Sequence, residues 1–165
     1  MNVDFTSPAN SGVIRYLKSN ASSEWNLSKA RSKESCAPES VKDPYLNLNT
    51  HPDLVIWFWD KITVKLPEVC KWIIYGLPVL VNPKSGIVFG FGTGTHTYDL
   101  RLPAIERDAA IKAGYKRIFK YPTPAGEEFN LDDIGAEWIF GKFDANEENW
   151  CLAAYEYSQH PIISN

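Results

Sequence analysis

Apolar positions along this chain are bunched. From residue 54 onward they arrive in dense blocks: LVIWFW (54–59), CKWIIYG (70–76), PVLVNP (78–83), GIVFGFG (86–92) and AEWIFG (136–141). Residues 17–43 are the opposite, rich in Ser, Lys, Glu and Asn, with Trp25 and Leu27 as isolated apolar points. Such a composition buries too little surface to offset the entropy of ordering it. Residues 1–49 are therefore expected to form a poorly ordered or loosely docked arm, with FTSPANSGVIRYL (5–17) as a candidate ordered piece. Residues 50–165 are expected to form one domain.

Punctuation within the domain separates the elements. Thr50, followed three residues later by Asp53 with Pro52 in the first turn, predicts a helix N-terminus. The run after it is apolar all round, which marks a buried element. CKWIIYG and PVLVNP read as short strands bounded by Gly76, Pro78 and Pro83. LPAIERDAAIKAG reads as a helix opened by Pro103 and closed by Gly114. YKRIFKYP and AEWIFGKFD predict strands, and PTPAGEEFNLDD a loop. Asp144 with Glu147 predicts a second capped start, leading a helix with Trp150, Ala154 and Tyr157 on one face.

The segment GIVFGFGTGTHTYDLRLP (86–103) alternates like two strands, and its glycines bear on the chemistry. A phosphate-binding Walker loop needs a Lys after its glycines, and a dinucleotide-binding turn needs G-x-G-x-x-G opening a helix. Neither pattern is present. A hairpin remains, with Gly92-Thr93 as a type II′ tip. That tip places Phe89 opposite His96 and Ile87 opposite Tyr98 on one buried face. Thr95, Thr97, Asp99 and Arg101 then share the other. The expected fold is α+β, an antiparallel sheet centred on the Gly86–Leu102 hairpin with about three packed helices.

Charge changes this picture more than composition does. The net charge of −3 hides a division. Residues 122–165 carry nine acidic side chains and one basic, a net −8, whereas residues 51–121 carry ten basic and six acidic, a net +4. A one-signed surface of this kind steers association with an oppositely charged partner. The basic cluster Lys112, Lys116, Arg117 and Lys120, interleaved with aromatics, reads as the solvent face of a strand, so a nucleic-acid partner is not expected. Three cysteines, far apart and without a C-x-x-C, argue against a disulfide framework and a zinc site. The N-terminus lacks a basic segment leading into an apolar run, and the longest apolar run is far too short to span a bilayer. A cytoplasmic protein without membrane contact, cofactor or metal is the resulting expectation.

Catalytic motifs are sparse. There is no G-x-S-x-G, His51-Pro52-Asp53 reads as helix capping, and Cys70 and Cys151 lie in apolar runs that favour inert thiols. The leading expectation is a non-enzymatic binding protein, an inhibitor or immunity-type protein. Its acidic surface, carried by Glu127, Glu128, Asp132, Asp133, Glu147 and Glu148, would meet a basic protein partner such as a toxin. The alternative is a small enzyme with a cleft near the hairpin, using His96 with Asp99 or Tyr98 in acid–base chemistry. A third reading is an accessory or structural subunit whose arm docks on a neighbour.

Overall fold

The computed structural model of the chain describes residues 3–21, 34–36, 50–68, 70–93, 97–120, 128–131, 134–141 and 147–160. In chain order the elements begin with helix α1 (Pro8–Ala21) and strand β1 (Glu34–Cys36). Helix α2 (Pro52–Ile56) runs on into a π-helical turn (Trp57–Lys61). Strands β2 (Lys71–Ile74), β3 (Leu77–Val81), β4 (Val88–Thr93) and β5 (Thr97–Arg101) follow. Helix α3 (Ala104–Lys112), strands β6 (Ile118–Lys120), β7 (Glu128–Asn130) and β8 (Trp138–Gly141), and helix α4 (Glu147–Gln159) complete the described chain. The class is α+β.

Six strands make one antiparallel sheet, ordered β1-β2-β3-β4-β5-β8, and β6 pairs with β7 apart from it. The β2–β3 connection is the tight turn that Tyr75 and Gly76 permit, both with positive φ, 51° and 77°. Helices cover both faces of the sheet. One core joins Leu54, Phe58, Trp59, Ile73, Leu80, Phe89, Tyr98, Leu100, Ile139, Cys151 and Tyr155 beneath α2, α3 and α4. The other joins Val3, Val13 and Leu17 to Val79, Val81, Val88, Phe91, Trp138 and Phe140 beneath α1. Two buried faces explain why PVLV and WIFG are apolar at every position rather than alternating.

A bulge in β4 assigns its side chains to these cores. Leu80 pairs with Gly90, but Val81 pairs with Val88, so Phe89 is the extra residue. Phe89 and Gly90 consequently face the same side. Space beside Phe89 is tight, since a Cβ on Gly90 would press on Leu80 and Leu100.

Several expectations are met differently. Gly92 and Thr93 lie within β4, Thr93 pairing with Thr97, so they are strand rather than hairpin tip. The observed register sets Gly92 against Tyr98 and Phe91 against Asp99. Asp99 and Arg101 therefore share the α1 face and are buried there, not exposed. The helix at residue 52 is capped by His51, whose Nδ1 accepts from the Asp53 amide at 3.1 Å, while Thr50 Oγ1 donates to Gly92 O. Glu128–Asn130, expected as loop, pairs as a strand.

In the N-terminal segment the candidate ordered piece at 5–17 contributes to helix α1. Val3, Val13 and Leu17 are buried, and β1 extends the sheet at its edge. A boundary at residue 49 therefore cuts through the sheet. Gly12 lets α1 lie so close that a Cβ there would overlap the Ile134 carbonyl oxygen. Burying three such side chains supplies roughly 1.5–3 kcal/mol each.

Candidate functional site

The described site residues do not gather in one place; they divide across the sheet. Strand alternation sends consecutive side chains to opposite faces. Tyr98 enters the α4-side core, and Asp99 enters the α1-side core. The two alternatives expected beside His96 therefore lie in different cores. His96, Glu127, Asp132 and Asp133 lie outside the described residues, and Glu128 is placed only through its backbone in β7.

Tyr98 instead meets a residue from the acidic set. Glu147, in the first turn of α4, is fully buried and accepts a hydrogen bond from the Trp57 indole N–H at 2.6 Å. The Tyr98 hydroxyl also hydrogen-bonds to Glu147. Burial first, then the neighbouring Glu147 charge, pushes the Tyr98 hydroxyl far up, so it stays a proton donor. Tyr98 pairs with Gly92 on one side and Gly141 on the other, and Gly141 makes room for the ring. A Cβ on Gly141 would overlap the ring. The π-helical turn brings Trp57 to Glu147 while carrying Asp60 to Lys71. Glu147 thus belongs to the interior, a correction to its expected place on an exposed acidic surface. Glu148, its neighbour, is only half-buried.

Asp99 has a different environment. It sits in register between Phe91 and Phe140, is 1% exposed, and its Oδ1 has no hydrogen-bond partner among the described residues. Desolvation raises its pKa well above the ordinary value and so favours the neutral acid.

Two clefts complete the candidates. The first, about 360 Å³, is lined by Trp59, Asp60, Thr63, Leu66, Glu68, Cys70 and Lys71. Its carboxylates are already engaged: Asp60 pairs with Lys71, and Glu68 accepts from the Tyr155 hydroxyl at 2.7 Å and faces Lys84 at 3.7 Å. Burial, with the Glu68 charge, pushes the Cys70 thiol up to about 12, which makes it a poor nucleophile. Cys151 is shifted upward by burial as well.

The second cleft, about 250 Å³, lies between α1 and residues 134–138 and includes Arg15, Arg101 and Glu137. Sequence reasoning missed it. Three arginines clasp its far wall: Arg117 donates to the Gly135 and Trp138 carbonyls, Arg107 to Ala136, and Arg101 to the Glu137 carboxylate. Arg117, read from sequence as part of a solvent face, is therefore a backbone clasp. The only signal for this wall was the Gly135-to-Trp138 stretch following an acidic loop, and nothing in that pattern names arginines far away in sequence.

No group of three or more His, Cys, Asp or Glu side chains suited to a metal ion occurs among the described residues. No described helix is long and apolar enough to cross a membrane. Comparison with known proteins finds no matching family model, no similar curated protein and no similar solved structure.

Proposed function

We propose that this chain is a non-enzymatic binding protein of the inhibitor or immunity type, acting in the cytoplasm on a basic protein partner through the acidic surface of its last third. The observation that carries this reading is the charge of residues 122–165, nine acids against one base. The geometry refines it. Helix α4 contains no Lys or Arg, and with Glu147 turned inward its outward carboxylates are Glu148 and Glu156. Against an enzymatic reading stands the use of Tyr98, Asp99, Cys70 and Cys151 as buried packing groups rather than as an assembled set.

The test pairs the purified chain with the product of the adjacent gene. The reading expects that product to be basic and to associate in a salt-sensitive way. Glu148→Lys combined with Glu156→Lys should slow association several-fold at low salt, with the loss shrinking as salt rises. Stability should stay within about 0.5 kcal/mol of the parent. An adjacent product that is not basic or does not bind, or an association rate unchanged by both reversals, overturns the proposal.

A further inference from the structure

We infer that the cleft between α1 and residues 134–138 is a binding site for a small oxyanion, a phosphate or carboxylate group, held by Arg101 and Arg15. This goes beyond the acidic-surface reading and does not depend on it.

The floor of the cleft is unusual in being cationic and buried. Arg101 rises from β5 with its side chain only 4% exposed. Its Nη1 donates to the Ala9 carbonyl at 3.1 Å, and its Nη2 reaches Glu137 Oε1 at 3.4 Å. That contact is a single long one and not the two-pronged pairing a guanidinium makes with a well-matched carboxylate. Arg101 Nε has no hydrogen-bond partner among the described residues, and the guanidinium lies over the Tyr157 ring at 5.7 Å, which meets part of its charge. A buried guanidinium is costly unless its charge and donors are well met, so this one is under-compensated.

The surroundings do not supply the missing charge. Asp99, its neighbour two residues back on the same face, is enclosed by Phe91 and Phe140, and burial raises its pKa, which disfavours the charged form. Arg15, on the α1 face that lines the cleft with Pro8, Ser11 and Gly12, makes no hydrogen bond or ion pair among the described residues and is exposed at the mouth. Among the described residues that line the cleft, two arginines face one carboxylate, Glu137. The first turn of α1 borders the same space and adds partial charge of the same sign as the arginines. The close approach of Gly12 to Ile134 holds the two walls together. Volume and donor geometry suit a small anionic group approached by one buried fork and one mobile cation.

The experiment is calorimetric titration of the full chain with inorganic phosphate and, separately, with succinate, in buffers matched for ionic strength with chloride. Saturable one-to-one binding of either ion at millimolar concentration or better is expected. Phosphate binding alone identifies a phosphate-bearing ligand, and succinate binding alone a carboxylate. Arg15→Gln, at an exposed position, should leave the melting temperature unchanged and weaken that binding about tenfold, as expected for loss of a charged hydrogen bond. Arg101→Lys, which keeps the charge but loses the fork, should also weaken it. Absence of saturable binding for both ions, or equal binding by the parent and Arg15→Gln, overturns the proposal.

Discussion

Glu147 and Asp99 are equally buried carboxyl groups on opposite sides of one sheet, and they differ in the donors brought to them. Glu147 is met by the Trp57 indole N–H and the Tyr98 hydroxyl, on a helix first turn that favours negative charge. Asp99 is flanked by Phe91 and Phe140, and its Oδ1 receives no donor. The first is built into the architecture between π-turn, sheet and helix. The second is a carboxyl whose burial favours its protonated form. Burial alone therefore does not define a role for an acid; the donors brought to it do.

The strongest way to break the comparison is to remove the cover from the Asp99 side. Deleting residues 1–21 strips α1 from Val79, Phe91, Trp138 and Phe140. The lost burial, roughly 5 kcal/mol or more, approaches the whole stability of a domain this size. Thermal unfolding followed by circular dichroism should show no cooperative transition. A melting temperature within a few degrees of the parent would return α1 to the status of a dispensable arm.

Trp57→Phe sharpens the other side by removing one donor from Glu147. A buried carboxyl oxygen left without its donor should cost about 1–3 kcal/mol, read from chemical denaturation. An unchanged midpoint would mean that Glu147 does not depend on the indole. Gly141→Ala comes next, at about 1–3 kcal/mol, because its methyl must displace the Tyr98 ring. In a Tyr98→Leu background the same substitution should cost much less, and an undiminished cost would show that the ring is not what Gly141 accommodates.

Local signals made much of the fold legible. The Tyr75-Gly76 turn, the runs around residues 70–83 and 138–141, and Pro103 and Gly114 flanking α3 each act within a few residues. The bulge at Phe89 was not legible, because it inverts the face assignment of β4 without changing the alternation that announces a strand. Nor was the α1 layer: its apolar positions, Val13, Ile14 and Leu17, adjoin a polar stretch that dominates any composition window. The candidate site was the least legible part. Tyr98 and Asp99 were alternative partners for His96, and their adjacency on a strand sends them into different cores. Glu147 looked exposed because it sits among acids, while its donors come from residues far along the chain.

The most direct measurement is unfolding free energy against pH for the parent and Asp99→Asn. In the unfolded chain Asp99 ionises near its ordinary value of 3.8, whereas in the folded protein its pKa is raised by desolvation. Above that pH the unfolded state therefore binds fewer protons, and the contribution of Asp99 to stability falls as pH rises toward the folded pKa. The account predicts nearly equal stabilities near pH 4 and a gap that opens with rising pH. By pH 8 Asp99→Asn should be the more stable by roughly 1 kcal/mol, a gain limited because the amide is itself buried without a donor. A gap that does not change with pH, or a parent that outperforms Asp99→Asn at pH 8, would mean that Asp99 is charged and partnered in the folded protein, and would contradict the account.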